Sequence, residues 1–289
     1  MKNILVTGGS GQLGQSLQKI AGTYPQFNLI FTDSQDLDIT NADALAAYFA
    51  AQQIDACINC AAYTAVDKAE EDEDNAFLLN FQAVLSLAEI CAQHNTQLIH
   101  ISTDYVFSGK QYLPYTETDD TDPQSIYGAS KVRGEAAAMG YNENTIVIRT
   151  SWLYAEYGVN FAKRMKELMQ EKSELNVVFD QIGTPTYAGD LATAILDILQ
   201  YKALHQDTAV GGVYHYSNEG VASWYDFSVA IKEMTNATTA ILPVTSDKYK
   251  TAAKRPAYSV LNKEKIKSTF GITVPYWRDS LAKCLKNIS

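Results

Sequence analysis

Tyr127 and Lys131 close the stretch Tyr127-Gly128-Ala129-Ser130-Lys131, which lies in a segment whose pattern predicts a helix. On a helix, positions i and i+4 share a face, so this phenol and this ammonium are aimed at the same volume. A phenol with its ordinary pKa of about 10 is a poor proton carrier at neutral pH. A lysine cation beside it stabilises the phenolate and is expected to lower that pKa toward the working range. Upstream, His100-Ile101-Ser102-Thr103-Asp104-Tyr105-Val106-Phe107 sets the Thr103 hydroxyl where a strand is expected to end. There it can donate to a carbonyl oxygen while Tyr127 delivers the proton. Taken singly, the Tyr–Lys pair is also what a surface helix shows by chance, and hydroxyls after a strand also cap turns. Their order along one expected sheet edge favours chemistry, because ligands of open α/β sheets bind at that edge.

A third group lies near the amino terminus, in Thr7-Gly8-Gly9-Ser10-Gly11-Gln12-Leu13-Gly14. Read from Gly9 it fits G-x-G-x-x-G. It follows an expected strand and opens an expected helix, the context in which that pattern binds a dinucleotide. The glycines allow a sharp turn and let backbone N–H groups approach a pyrophosphate, which the helix N-terminus then stabilises. Asp33 ends the second expected strand, where a carboxylate accepts from the adenine-side ribose and repels a 2′-phosphate. NADH is therefore favoured over NADPH. Asp38 and Ile39 follow closely and can cradle the adenine. No G-K-[ST] closes the turn, which excludes a P-loop.

Positioning these groups needs a particular scaffold. Periodicity predicts strands over 3–7, 28–32, 54–59, 97–101 and 145–149. Helices are predicted over 13–20, 43–51, 74–94 and 125–140. Such alternation requires parallel strands with crossover helices on both faces: a Rossmann-type, doubly wound α/β sheet. After Arg149 the rhythm breaks. Helices are predicted over 161–171, 188–200 and 221–235 and a strand over 212–216, with turns and short helices from 241 onward. The division expected is a dinucleotide-binding domain over 1–150 and a smaller α/β substrate-binding lobe over 151–289, some of whose segments return to the sheet.

Composition excludes several classes. Of 289 residues, 46% are hydrophobic and 19% charged, as in an ordinary globular protein. A formal net charge of −10 repels phosphodiester backbones, so no nucleic-acid partner is expected. No signal peptide is expected ahead of the first strand, and no window approaches about 18 consecutive apolar residues, so no membrane partner is expected either. Cys57 and Cys60 form a C-x-x-C pair, but it falls in an apolar strand and lacks a second ligand pair; a structural role and a reduced, cytoplasmic protein are the reading. The acidic run 70–74 reads as a solvated helix start rather than a metal site, and no metal is expected.

With these motifs in place, the chain closely resembles the extended short-chain dehydrogenase/reductases over nearly its whole length, and within them the members that act on dTDP-4-keto sugars. The resemblance rests on Leu37-Asp38-Ile39-Thr40, Ala61-Ala62-Tyr63-Thr64-Ala65-Val66-Asp67-Lys68-Ala69-Glu70 and Ser102-Thr103-Asp104-Tyr105-Val106-Phe107. It continues in Arg149-Thr150-Ser151-Trp152, Asp180-Gln181-Ile182-Gly183-Thr184-Pro185-Thr186 and Arg255-Pro256. It implies that Ser10, Gly11, Gln12, Asp38, Ile39, Ala61, Ala62 and Tyr63 contact NADH or NADPH. Tyr127 and Lys131 would serve both cofactor and chemistry, and Thr103, Asp104 and Trp152 would line the sugar pocket. The implied reaction is reduction of the C4 carbonyl of dTDP-4-dehydro-L-rhamnose to dTDP-L-rhamnose. Trp152 reads either as a pocket residue or as a core aromatic. Arg255 reads either as a partner of the substrate diphosphate or as half of a structural ion pair. Gln15 stands where some relatives carry Glu, which removes a carboxylate from a metal-linked dimer contact; a homodimer is compatible with the resemblance. The alternatives are another nucleotide-sugar reductase or epimerase on this scaffold, or a non-catalytic regulatory subunit, which would be expected to have lost Tyr127 or Lys131.

Overall fold

The computed structural model describes residues 1–205 and 208–288; of the lobe expected over 151–289, Gln206, Asp207 and Ser289 lie outside the described residues. The first half alternates as its periodicity predicts. It runs β1 (Lys2–Thr7), α1 (Gln12–Ile20), β2 (Phe27–Thr32), α2 (Ala42–Ala51), β3 (Ala56–Asn59) and a short α3 (Val66–Ala69). Then come α4 (Glu73–Phe77), a π-helical turn (Leu78–Gln82), α5 (Ala83–Gln93), β4 (Gln97–Thr103), α6 (Ile126–Tyr141) and β5 (Ile146–Thr150). The second half contains β6 (Leu153–Tyr154), α7 (Phe161–Glu171), β7 (Glu174–Val178), β8 (Ile182–Gly183), β9 (Thr186–Tyr187) and α8 (Ala188–Leu204). It ends with β10 (Gly212–His215), β11 (Ala222–Ser223), α9 (Trp224–Thr235), β12 (Ala240–Val244), α10 (Glu264–Phe270) and α11 (Trp277–Leu285).

The main sheet has the order β2-β1-β3-β4-β5-β10, and every neighbouring pair is parallel. This is the Rossmann-type doubly wound sheet. Strands covered on both faces read as continuous apolar runs, and every residue of β3 and β5 is buried. One face packs on Leu13 and Leu17 of α1 and Leu191, Ile195 and Ile198 of α8. The other packs on Leu45, Phe49, Val84, Leu87 and Ala138 from α2, α5 and α6. Strand order reverses between β1 and β3, which opens a crevice at their carboxyl ends.

Helix starts follow side-chain chemistry. Asn41, Ser125 and Asn160 cap α2, α6 and α7 by accepting from Ala44, Gly128 and Lys163 backbone N–H groups. Ser223 and Asp226 form a reciprocal capping box on α9. A third apolar cluster, including Met165, Phe227, Ile231, Trp277 and Leu281, unites α7, α9 and α11 over the parallel pair β7–β12.

The helix expected over 74–94 is continuous in direction but carries the π-helical turn, which inserts Asn80 into its buried face. Glu73–Gln93 is long and apolar enough to cross a membrane by composition alone, yet Val84, Leu87 and Ile90 are packed in the sheet's core. β7, β12 and the short strands of the second half were not foreseen from periodicity. All four cysteines are free thiols; Cys57 and Cys91 are enclosed in the core, and the hydrogen bond with the Cys91 thiol, together with burial, pushes Cys57 well up.

Candidate active site

The carboxyl ends of β1, β3, β4 and β5 open on a cleft of about 580 Å³. Its floor is the turn after β1. Gly8 sits at φ 67°, and a Cβ there would lie 2.7 Å from Ala61 N, so only glycine lets this turn pass under the exit of β3. Gly11, at the start of α1, has no side chain to cap the helix. The N–H groups of that first turn are thus left to an anion, where the helix dipole also favours one. Gln12 contributes a buried Oε1 with no partner.

Of the residues expected at a dinucleotide, Gly8, Gly11, Gln12, Leu13, Gly14, Ala62, Tyr127 and Lys131 line the cleft. Ser10 is exposed on the turn. Ala61 meets Gly8 through its backbone. Tyr63 donates its hydroxyl to Asp72 at 2.9 Å. Asp33 directly follows β2 and accepts from Gln35 N at 2.9 Å, and Asp38 closes its own turn through Thr40 N at 2.9 Å. The Ile39 side chain is only 4% exposed and packs in the core, which leaves its backbone to face the adenine position expected for it.

The groups expected to handle a proton, Thr103, Tyr127 and Lys131, all line this cleft. Ser125 caps α6, and Glu70 of the acidic run accepts from Ile126 N at 2.9 Å. The run therefore does more than solvate a helix start: one carboxylate fixes the entry of the helix that carries Tyr127. Tyr127 shares the cleft with the Thr103 hydroxyl, which favours its ionised form, and lies edge-on to Tyr105 at 5.6 Å. Behind it, Gly128 meets the backbone of Tyr105, whose O would lie 2.3 Å from an added Cβ.

Lys131 is 2% exposed; Nζ donates to Ile101 O at 2.7 Å and lies 3.4 Å from His100 Nε2. The expected lowering of the phenol pKa is not what this geometry gives. Burial pushes Tyr127 above its ordinary value, with Thr103 opposing, while burial lowers the Lys131 ammonium to about 8. Lys131 is spent on the carbonyl and the imidazole behind it, so desolvation outweighs its field at the phenol. Asp104 is fully enclosed; it accepts from Thr103 Oγ1 at 3.1 Å, its Oδ2 has no partner, and burial raises it to about 6.

On the far wall, Trp152 has φ 47°, an uncommon conformation for an aromatic residue. Its ring stacks on Trp224 at 3.6 Å, and both face the cleft. Trp152 is thus a pocket residue, not one of the enclosed core aromatics. Trp224 was missed in the sequence, where it reads as one more apolar position of a helix start. Arg255 also reaches the cleft, where Nη2 pairs with Asp67 Oδ2 at 2.7 Å and a buried Nε has no partner. Asn80 was missed as well. It joins the two walls by accepting from Tyr63 N at 2.9 Å and donating to Tyr63 O and Ser130 Oγ, both at 3.0 Å. A lone amide inside an apolar helical stripe was the available signal.

A dinucleotide fits these residues: the uncapped start of α1, the glycine cradle and the unpartnered Oε1 of Gln12 lie together in the turn after β1. Among the described residues no group of three His, Cys, Asp or Glu is arranged to hold a metal ion.

Residues 1–289 match the family described as RmlD substrate binding domain. A dTDP-4-dehydrorhamnose reductase of Aggregatibacter actinomycetemcomitans is 39% identical, over 100% of this chain and 98% of that protein. A crystal structure of a dTDP-4-dehydrorhamnose reductase from Clostridium acetobutylicum superposes with TM-score 0.93 at 40% identity, covering 98% of each chain. The Bacillus anthracis enzyme of that name, solved in complex with NADP, gives TM-score 0.93 at 35% identity over 99% of each chain.

Proposed function

The chain belongs to the RmlD substrate-binding-domain family, whose relatives include dTDP-4-dehydrorhamnose reductases, and on that premise we propose that it reduces the C4 carbonyl of dTDP-4-dehydro-L-rhamnose to dTDP-L-rhamnose, with NADH or NADPH as reductant and Tyr127 as proton donor. The observation that carries this reading is the convergence of Thr103, Tyr127 and Lys131 on the cleft that the glycine turn floors.

When bound, the nicotinamide supplies the hydride to C4. The protein's residues do the rest. The turn over 8–14 and the start of α1 receive the pyrophosphate. Thr103 polarises the carbonyl oxygen. Tyr127 gives its phenolic proton to that oxygen as negative charge develops on it, which removes the cost of a free alkoxide. Lys131 holds the nicotinamide ribose and, as an ammonium, stabilises the resulting phenolate. The buried position of Tyr127 suits a donor that must keep its proton until the carbonyl is reduced. Asp104 and the Trp152–Trp224 wall receive the sugar, and the lobe over 151–289 supplies that wall. We further propose that the reaction takes place in the cytoplasm, a reading supported by four thiols that are all unpaired.

NAD(P)H oxidation measured with dTDP-4-dehydro-L-rhamnose against other dTDP- and UDP-4-keto sugars tests the assignment. Turnover of the first at the highest kcat/KM is expected. Faster turnover of another sugar would move the chain to that substrate.

A further inference from the structure

A buried chain of polar groups runs beneath the cleft and ends on Lys131. Thr7, the last residue of β1, donates from Oγ1 to Asn59 Oδ1 at 2.7 Å. Asn59, the last residue of β3, has its Nδ2 3.1 Å from His100 Nδ1. His100 on β4 sets Nε2 3.4 Å from Lys131 Nζ. Thr7, Asn59 and His100 are at most 1% exposed, so the chain runs through the sheet out of reach of solvent.

The chemistry of the links fixes their direction. The Thr7 hydroxyl occupies the amide oxygen of Asn59, which leaves the amide N–H₂ to face the imidazole. Nδ1 must then accept. A neutral imidazole carries one proton, so that proton sits on Nε2. A cationic ring is disfavoured: burial and the Lys131 charge hold His100 well below its usual range. The N–H on Nε2 is therefore turned toward the amine of Lys131. A donor facing an ammonium opposes its charge, whereas the same donor facing a neutral amine makes a hydrogen bond to its lone pair.

We propose that His100 is a positioning residue for Lys131: held by Thr7 and Asn59 as the Nε2–H tautomer, it sets the pH at which the lysine gives up its charge. This rests on the reading of Lys131 as part of the reductase site. The other groups that face the amine do not supply this control. Glu135 from α6 favours the charged form, and it is already paired with Arg149 of β5 at 2.7 Å. Cys60 after β3 also favours the charged form only if ionised, and burial pushes that thiol up to about 12. Tyr127 lies on the same helix as Lys131 and is held protonated by burial. His100 is the facing group whose hydrogen-bonding sense is dictated by residues outside the cleft. Because Thr7 directly precedes Gly8, the same chain ties the lysine to the floor of the cofactor turn.

The test has two parts. The chain contains 4 histidines, so ¹⁵N imidazole spectra of the wild-type protein can be assigned. A protonated Nε2 and bare Nδ1 at His100, with no imidazolium where an ordinary imidazole has already taken up its proton, is expected; an Nδ1–H tautomer overturns the proposal. In His100→Phe, the Lys131 amine, followed by lysine Nζ NMR, should titrate higher than in the wild type by about half a unit or more. An unmoved or lowered Lys131 titration also overturns it. The tautomer measurement uses the native protein and holds even where the variant folds poorly. The kcat–pH profile should rise in parallel. If the Lys131 titration moves while that profile does not, the His100 link stands and the catalytic role of Lys131 is what fails.

Discussion

Arg255 and Asp67 form an ion pair at the mouth of the cleft, Nη2 to Oδ2 at 2.7 Å, between residues 188 positions apart in the chain. The pair ties the segment after β12 to α3. It leaves the Arg255 Nε buried and without a partner at the cleft, and under the proposed function this guanidinium meets the substrate diphosphate. Arg255→Ala should raise KM for the sugar nucleotide by about tenfold or more, the worth of a charge-assisted hydrogen bond, with a smaller effect on kcat. Asp67→Asn keeps the guanidinium and should leave KM within about threefold. Equal KM increases in the two variants would make the pair structural.

Tyr127→Phe removes the proposed proton while keeping the ring that packs against Tyr105. Turnover should fall by at least about 10²-fold, as for loss of a general acid. NADH or NADPH binding, followed by fluorescence, should be little changed. Retained turnover would sink the assignment.

Asp33 directly follows β2, with its side chain accepting from Gln35 N. Under the proposed function this carboxylate meets the adenine-side ribose and repels a 2′-phosphate, so Asp33→Ala should raise the kcat/KM ratio of NADPH to NADH. A ratio that stays put places the adenine-side ribose elsewhere.

Asp104 is 1% exposed, and burial raises its carboxyl to about 6. A raised folded-state pKa means that the native protein holds this proton more tightly than the unfolded chain. The stability gained from it is complete below about pH 4 and is lost as pH rises through about 6. Asp104→Asn should therefore match the wild type in Tm at pH 4. At pH 8 it should be more stable, by something on the order of 3 kcal/mol, because no buried charge has to be carried. A variant less stable than wild type at pH 8 would contradict the desolvation argument.

The parts of the molecule most legible in the sequence are those with short-range rules. The glycine turn announces itself by spacing and by the strand and helix around it. Tyr127 and Lys131 share a face because a helix repeats, and Thr103 sits at a strand end because an apolar run stops there. What could not be read is set by partners distant in sequence. β7 and β12 pair Glu174 with Ala240, two segments that carry no periodic signal strong enough to announce either strand. Trp224 is a pocket residue only because Trp152 stacks on it, and Asn80 matters only because a π-helical turn swings it into the sheet side. The sense of the Tyr127 shift went unread for the same reason. Spacing gives the distance to the lysine along the helix, but it does not give the carbonyl of Ile101 and the ring of His100 that claim its amine.

β10 completes the main sheet against β5, and α8 lies beside α1, although both come from the second half of the chain. As the protein leaves the ribosome, the first 150 residues carry an unpaired strand edge and an uncovered apolar face until residues 188–215 follow. The first 150 residues are therefore completed by elements from the second half of the chain, and cutting the chain after β5 would leave a sheet edge and an apolar face without cover.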